Sequence, residues 1–288
     1  MIRIVRPDEP PRILVEQASA LVREMLDQYR AAPQAYRDGA VAFEFKRAVY
    51  GHPEVRQRLL EAHRGKCCYC EIPIASEPGD IEHFRPKARV RQGDGEPMRT
   101  PGYFWLVYTW SNLLYACSDC NSGCKRDFFP LENPESRADA LREEGSTVGE
   151  VPLLLDPAAE DPEGCVEFNG ERALPRGGAR RGRVTIDVIG LNRTKLSTER
   201  RDRLEQVRLQ FDGLRLIRAG KIRVDDSEGQ GYLRRVCRAI LAAAEPHAPF
   251  AGMMRCALRE WLAPEVGFPC SEETLFAWAL AGAEKASK

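Results

Sequence analysis

The sequence predicts an α+β protein, a mostly helical chain that carries one small non-helical module in its first half. Apolar residues recur at helical spacing near both ends of the chain, whereas residues 66–130 are rich in glycine, proline and paired cysteines. We therefore expect four regions. They are an N-terminal helical region (1–65), the module (66–130), an irregular connecting region (131–182) and a C-terminal helical region (183–288).

The composition is that of a globular protein without a membrane-spanning segment. Hydrophobic residues make up 43% of the 288 residues, charged residues make up 30%, and the formal net charge is zero. The first residues contain no apolar leader-type region, and no apolar run approaches the roughly 18 residues that cross a bilayer. We therefore expect a cytoplasmic protein. Fourteen basic against five acidic residues between positions 176 and 223 suit local phosphate contacts, with solvated helix faces as the alternative.

The two helical regions are predicted from their apolar stripes. Leu14, Leu21 and Met25 belong to a stripe over residues 13–29, and a second helix begins at Pro53 and ends before Gly65. In the C-terminal region the stripes predict a helix from about residue 196 and three more around residues 236–244, 254–262 and 274–280. The apolar run VPLLLDP in the connecting region is either a strand or a buried plug.

Two C-x-x-C pairs frame the module. Their members are Cys67, Cys70, Cys117 and Cys120. Four thiolates at such spacings bind one tetrahedral zinc and leave no coordination position open for water. We therefore predict a structural zinc whose binding energy is folding energy for the module, with a redox role for either pair as the alternative. Cys68 and Cys124 are then spare thiols, although either could substitute as a ligand.

Polar residues of the types that hydrolases use lie between and just after the cysteine pairs. GDIEHFRPK places Glu82 directly before His83, and WSNL places Asn112 before an apolar strand. The second pair, CSDCN, is followed at once by Asn121 and then by Lys125. A lone histidine is most often a packed or surface residue, so it is the combination that indicates a site.

The order acid-His, then Asn-Leu, then Cys-x-x-Cys-Asn resembles the HNH (ββα-metal) endonuclease motif. Further similarity lies in MIRIVRP, CCYCE, IEHFRPK, GYFWLVYTWSNLLYACSDCN, FFPL, VPLLLDP, EDPE and TIDVIGLNR, and it extends to about Arg201. These stretches resemble the HNH family of retron and Septu-type anti-phage defence systems, whose PtuB-like nuclease subunit works beside an ABC-type ATPase. The resemblance implies a zinc-stapled ββα-metal module, a DNA substrate and such an ATPase as partner.

The resemblance also implies catalytic roles. His83 would be the general base that takes a proton from water, a task that suits a neutral imidazole. Glu82 and Asn121 match the positions that hold one Mg²⁺ or Mn²⁺ through oxygen. Asp is common at the position of Glu82, and the longer glutamate side chain suits ligation through water.

Four further residues are given supporting roles, Asn112 by its match to the motif and Arg85 and Lys87 by their position just past His83. Asn112 would fix the strand that bears the histidine. Lys125 is a candidate phosphate contact or transition-state cation, with a solvated helix lysine as the alternative. Arg85 and Lys87 are candidate substrate contacts, with pairing to acidic residues as the alternative.

The sequence thus predicts a metal-dependent HNH endonuclease that hydrolyses phosphodiester bonds of DNA, as the effector of a defence complex. The alternative is a zinc-stabilised subunit that binds nucleic acid or docks an ATPase without cleaving. The chain has no G-x-x-x-x-G-K-[ST] motif, so any ATP dependence is expected to come from a partner.

Overall fold

A computed structural model of the chain describes residues 1–75, 79–142, 145–263 and 265–281. These residues form two units. The first comprises Met1–Val166 and Pro175–Leu191, and the second comprises Glu167–Leu174 and the described residues from Asn192 onward. Helices together with two small antiparallel sheets confirm the α+β class. The division into four regions stays a prediction.

The first unit begins with four helices. They are α1 (Arg12–Ala31), α2 (Pro33–Arg37), α3 (Arg47–Tyr50) and α4 (Pro53–Ala62). The predicted stripe of α1 turns Leu14, Met25 and Tyr29 inward. His52 caps α4, because its Nδ1 accepts a hydrogen bond from the backbone N–H of Glu54 at 3.2 Å.

Two short strands build the sheet of the module. Strands β1 (Gly79–His83) and β2 (Leu113–Cys117) pair antiparallel, with His83 opposite Leu113. A glycine is required at position 79, since a Cβ there would lie 2.1 Å from the carbonyl oxygen of Ala116. A π-helical turn (Asp119–Lys125) follows β2 after one residue.

The N-terminal helices and the module share one hydrophobic core. Phe43 stacks on Tyr36 and on Phe104, with ring centroids 4.2 Å apart in both pairs. Leu59 of α4 is fully buried in the same cluster, as is Leu113 of β2. Part of the module's apolar surface is therefore covered by residues outside its own segment.

The rest of the first unit closes over the π-helical turn. The run VPLLLDP is a buried plug, in which the Leu155 N–H donates to Thr185 Oγ1 at 3.0 Å. Thr185 belongs to α5 (Arg180–Ile189). This helix ends at Gly190 with φ of 63°, and a Cβ there would lie 2.8 Å from Cys124 Sγ. Glycine thus ends α5 and also lets Cys124 pack against it.

The second unit contains most of a hairpin and four helices. The elements are β3 (Val166–Asn169), β4 (Arg172–Pro175), α6 (Thr194–Arg218), α7 (Ser227–Ala242), α8 (Ala251–Leu262) and α9 (Glu272–Leu280). Phe211 makes stacked contacts with both Trp261 and Trp278, with ring centroids 5.5 and 5.7 Å away. The four helices predicted for this part of the chain are confirmed. None of the described helices combines the length and apolarity that crossing a membrane requires.

Acid sensitivity is expected from the buried His63. Its Nδ1 lies 3.2 Å from the carbonyl oxygen of Tyr115, while its Nε2 is buried without a hydrogen-bond partner among the described residues. Burial lowers the pKa of His63 from 6.5 to about 3, although the Tyr115 carbonyl acts in the opposite direction. Between about pH 6.5 and pH 3, His63 is therefore protonated in the unfolded chain but neutral in the folded chain. Each unit of acidification between these pKa values should lower the free energy of unfolding by about 1.4 kcal/mol.

The variant His63→Gln should show a smaller loss of stability than the parent between pH 7 and pH 5. Urea denaturation at matched pH values measures this difference, and contributions common to both proteins cancel. Equal losses in the two proteins would show that His63 is protonated in the folded state.

Candidate functional site

Four buried thiols converge at one end of the module. The sulfur atoms of Cys67, Cys70, Cys117 and Cys120 all lie within 4.8 Å of one another. Cys70 Sγ and Cys117 Sγ are 3.7 Å apart. A tetrahedral zinc with bonds of about 2.3 Å holds its sulfur ligands about 3.8 Å apart. The predicted cluster is therefore confirmed as a group that could hold a structural metal such as zinc.

Backbone turns bring the two cysteine pairs together. The Cys67 N–H donates to the Ile72 carbonyl at 2.9 Å, and the Glu71 N–H donates to the Cys67 carbonyl at 3.1 Å. Glu71 adopts φ of 65°, in the left-handed region, which closes this turn. The Cys68 N–H donates to Tyr115 of β2 at 3.0 Å, so the first turn is joined to the strand that leads into Cys117. Among the described residues, Cys68 and Cys124 lie outside the sulfur cluster.

A buried ion cluster supports the same turn. The carboxylate of Glu71 lies 2.7 Å from the α-amino group of Met1 and 3.3 Å from Lys66 Nζ. Burial alone would raise the pKa of Glu71, but these two ammonium groups outweigh it and lower the pKa to about 2. The turn thus carries a paired charge close to the sulfur cluster.

A polar cleft of about 490 Å³ opens beside β1 and the π-helical turn. Four of the predicted site residues line it, namely Glu82, His83, Lys87 and Asn121. Other polar side chains in its wall are Arg47, Tyr50, Asp80, Arg89, Ser122, Arg126 and Asp127. The strand pairing and the turn thus bring together an acid, an imidazole and an amide that are up to 39 positions apart in the chain.

His83 is held as a neutral imidazole with one nitrogen directed at a cationic neighbour. Its Nε2 lies 3.0 Å from the Val107 carbonyl, which can only accept a hydrogen bond, so Nε2 carries the proton. Its Nδ1 lies 3.3 Å from Lys87 Nζ. Burial lowers the pKa of His83 well below 6.5, and the Lys87 ammonium lowers it further. The ring also contacts Tyr50 edge-on, with centroids 5.0 Å apart.

Asn112 fixes the backbone that follows His83. Its Oδ1 accepts from the Arg85 N–H at 2.8 Å, and its Nδ2 donates to the carbonyls of Arg85 at 3.1 Å and Leu106 at 3.2 Å. The Phe84 N–H donates to the Asn112 carbonyl at 3.0 Å. Asn112 is buried and does not line the cleft, so its contacts are those of a positioning residue.

Lys125 lies beneath the cleft and not in its wall. Its Nζ is 2.6 Å from Glu82 Oε1 and donates to the His83 carbonyl at 3.0 Å. The lysine is fully buried and Glu82 is nearly so. The Tyr69 hydroxyl donates weakly to the same Glu82 oxygen at 3.4 Å. These contacts favour a positioning role for Lys125 over direct phosphate contact.

Removing the Lys125 charge is expected to destabilise the fold. In Lys125→Met, Glu82 would stay buried without its ammonium partner, which typically costs about 3–5 kcal/mol. Urea denaturation measures this loss. The double variant Lys125→Met with Glu82→Gln should recover most of it, because both charges are then absent. Arg30→Met, which breaks an exposed pair with Asp27, should change little.

Arg85 and Lys87 have different surroundings. Arg85 Nε donates to Glu150 at 2.8 Å, and its guanidinium lies 5.3 Å from the ring centroid of Phe129. Arg85 is therefore held among interior groups outside the cleft wall. Lys87 lines the cleft, with its Nζ 5.0 Å from the ring centroid of Tyr50, and burial lowers its pKa. The paired alternative describes Arg85, whereas Lys87 remains available to a ligand.

Several cleft residues were not predicted from the sequence. Arg47 and Tyr50 come from the single-turn helix α3, which carries no motif. Arg89 lies beside the predicted Lys87. Arg126 follows the π-helical turn with φ of 47°, an uncommon conformation for a non-glycine residue. Only tertiary contacts bring these residues to the cleft, although the backbone conformation of Arg126 is a signal of local strain.

The charges of the cleft wall are nearly balanced. Arg89 pairs with Asp127 at 2.8 Å, and Arg47 pairs with Asp80. Arg126 is exposed and donates from Nε to the Gly123 carbonyl at 2.9 Å. The acidic groups Asp80 and Asp127 therefore have cationic partners in the same wall.

Known proteins resemble the chain over most of its length. It is 30% identical over 268 residues to the Septu protein PtuB of Bacillus mycoides (strain KBAB4), covering 88% of each chain. It is 27% identical over 195 residues to the Septu protein PtuB of Bacillus thuringiensis, covering 67% of this chain and 55% of that one. It is also 27% identical over 210 residues to the Septu protein PtuA of Bacillus mycoides (strain KBAB4), covering 73% of this chain and 27% of the relative. No family model matches the chain.

Proposed function

Since this chain belongs to the family of Septu protein PtuB, we propose that it is the nuclease component of a Septu anti-phage defence system. The proposed activity is that of a metal-dependent HNH (ββα-metal) endonuclease acting on phosphodiester bonds of DNA. The observation that carries the proposal is His83, a buried neutral imidazole whose Nδ1 acts as an acceptor in a cleft also lined by Glu82 and Asn121.

The order of elements supports the HNH assignment. An acid-His pair ends β1, Asn112 stands just before β2, and Asn121 lies in the helical turn that follows. This is the sequence of two strands and a helical element that the name ββα describes. The sulfur cluster joins the start of the module to the end of β2, so it would fix both strands under the cleft.

His83 is the proposed general base. The Val107 carbonyl holds Nε2–H, so Nδ1 carries the lone pair that would take the proton of an attacking water. Lys87 Nζ, which lies 3.3 Å from Nδ1, would first turn from the ring to a phosphate. The same carbonyl stabilises the positive ring that results, because it accepts from Nε2–H more strongly once the ring is charged. Asn112 and Tyr50 would keep the ring in register with the cleft.

The donor atoms in the module suit two different metals. Four thiolates suit zinc, which would be structural because no position stays open for water. Glu82 and Asn121 line the cleft, and their side-chain oxygen atoms would hold Mg²⁺ or Mn²⁺. Such a hard cation would neutralise charge on the transition state and on the leaving oxygen. Lys125 would hold the Glu82 carboxylate in place from below.

The basic side chains of the cleft wall are the proposed phosphate contacts. Lys87, Arg89 and Arg126 stand at the same cleft as His83. A phosphate of a DNA backbone in the cleft would compete with Asp127 for the Arg89 guanidinium. It could also pair with the solvent-exposed guanidinium of Arg126. Cleavage in this arrangement is therefore expected to weaken as salt is raised.

An ABC-type ATPase is the proposed partner. The similarity to Septu protein PtuA supports this, because the stretch that matches occupies about a quarter of that longer protein. In that relative, a stretch similar to this chain is thus joined to a longer segment that this chain lacks. The family resemblance supplies the ATPase character of the partner.

Plasmid cleavage tests the proposal. Purified protein should nick supercoiled DNA with Mg²⁺ or Mn²⁺ but not with EDTA, and elemental analysis should find about one zinc per chain. Retention of zinc in the EDTA-inhibited protein would separate the two metals. A zinc-replete protein that binds DNA and never nicks it, alone or with its ATPase partner, would favour the non-cleaving alternative.

A further inference from the structure

The first unit contains a second cavity, of about 370 Å³, that shares no lining residue with the cleft. Residues 98–105 form most of its wall, and Tyr29, Arg37, Val90 and residues 137–140 complete it. Its size falls within the range of small-molecule sites. None of the predicted site residues lies in this wall, so the proposed nuclease activity leaves the cavity unexplained.

The polar groups of the cavity are mostly cationic. Arg37, Arg99 and Arg137 line it, and the only carboxylate among the described residues of its wall is Asp139. Asp139 lies 3.1 Å from the Arg37 guanidinium, which also donates to the Tyr29 hydroxyl at 3.1 Å. One of the three cations is therefore compensated within the wall.

The other two guanidinium groups have weaker compensation. Arg99 lies 3.7 Å from Glu135, whose side chain is 84% exposed, and a pair of this kind contributes little. Arg137 donates to neutral acceptors, the Tyr103 hydroxyl at 2.8 Å and the Gln92 Oε1 at 2.8 Å. It also donates to the Phe129 carbonyl at 2.9 Å, so its position is fixed by the interior. An anion in the cavity would meet the anchored guanidinium of Arg137 and the more exposed one of Arg99.

A fixed aromatic ring stands in the same wall. Trp105 is half-buried, and its indole N–H donates to the Gly145 carbonyl at 2.9 Å. Position 145 requires glycine for two reasons. Its φ is +74°, and a Cβ there would clash with the indole nitrogen of Trp105 at 2.6 Å. Phe104 supports the ring edge-on at a centroid distance of 5.3 Å. An indole held in this way is a platform on which a flat ligand can stack.

The cavity and the cleft lie on two backbone segments that are hydrogen-bonded to each other. The Tyr103 N–H donates to the Pro86 carbonyl and the Gly102 N–H donates to the Ala88 carbonyl, both at 2.8 Å. Pro86 and Ala88 line the cleft, whereas Gly102 and Tyr103 line the cavity. One wall of the cavity is therefore hydrogen-bonded directly to one wall of the cleft.

We propose that this cavity binds a nucleoside phosphate. The phosphate contacts Arg99 and Arg137, and the base stacks on Trp105. The ligand is either a free nucleotide or one nucleotide of a strand that also enters the cleft. The cavity uses guanidinium groups in place of a glycine-rich phosphate loop, in keeping with the absence of such a loop from the sequence.

Isothermal titration of the intact protein with 5′-AMP, adenosine and inorganic phosphate tests the proposal without any cleavage. The parent should bind 5′-AMP more tightly than either fragment. Arg99→Glu should weaken 5′-AMP binding at least about tenfold, because it places a carboxylate against the phosphate. Arg23→Glu, a charge reversal on an exposed arginine of α1 outside the cavity, should have no effect.

A single-stranded oligonucleotide, titrated into the same proteins in the His83→Ala background, separates the two sources. Strand binding weakened by Arg99→Glu, with no binding of free 5′-AMP, would assign the nucleotide to a strand. Binding of both ligands, each weakened by Arg99→Glu, supports a site open to either source. If Arg99→Glu weakens the binding of neither ligand, or if neither ligand binds the parent, the proposal is overturned. The plasmid-nicking assay tests the proposed nuclease function independently of this result.

Discussion

Replacing His83 by alanine should abolish plasmid cleavage while leaving DNA binding in place. The variant loses the only group assigned to accept the proton of the attacking water, and removal of a general base typically costs about 10²–10⁴-fold in rate. The Val107 carbonyl, 3.0 Å from Nε2 in the parent, would lose its hydrogen-bond donor and could not replace His83 as the base. The rate of nicking at saturating DNA should therefore fall, with little change in the DNA concentration at half-saturation.

Because His83 is buried, a loss of activity must be separated from a loss of fold. His83→Gln preserves much of the side-chain volume, and both variants should keep about one zinc per chain and unfold near the parent temperature. His247→Ala removes an exposed histidine of the second unit and serves as the matched control. Nicking by a folded His83→Ala at the parent rate would remove His83 from the mechanism.

Replacing Cys117 by serine should release the zinc and unfold the first unit. Cys117 ends β2 and its sulfur lies 3.7 Å from that of Cys70, so the variant leaves three thiolates and disturbs the junction with the strand. Zinc sites of this type contribute about 10–16 kcal/mol of apparent binding free energy, as much as or more than the whole stability of an ordinary domain. Zinc content and circular dichroism measure the two effects.

Cys68→Ala is the control for this prediction, because Cys68 is adjacent to Cys67 and is also buried but lies outside the sulfur cluster. It should retain about one zinc and most of the parent stability. Loss of zinc from Cys68→Ala together with retention by Cys117→Ser would mean that the wrong thiols were assigned.

The parts of the fold that the sequence predicted are those with a periodic signal. Helix α1 carries a stripe of five turns, and the helices of the second unit carry stripes or caps of their own. Helix α3 and the β3–β4 hairpin were missed, because four residues are too few to show a period. Elements as short as α3 and the β3–β4 hairpin depend on tertiary packing, which local sequence propensity does not report.

The candidate site divides in a similar way. The sulfur cluster follows from spacing alone, since a C-x-x-C turn places both thiols on one side. The contact between Lys125 and Glu82 could not be predicted, because the two residues are 43 positions apart and only the pairing of β1 with β2 brings them together. Tyr50 was missed for the same reason. Sequence patterns identified the candidate ligands and the candidate base, whereas the residues that orient them can be found only in the folded chain.

The shared core of the N-terminal helices and the module limits what can be transplanted. A fragment of residues 66–130 would carry all four thiols and most cleft residues, yet it would leave behind Tyr29, Phe43 and Leu59. Phe104 and Leu113 would then face solvent in the excised piece, whatever its metal content. A shortened form of this protein should therefore end after the plug and α5 and keep the first 65 residues, which cover apolar surface of the module.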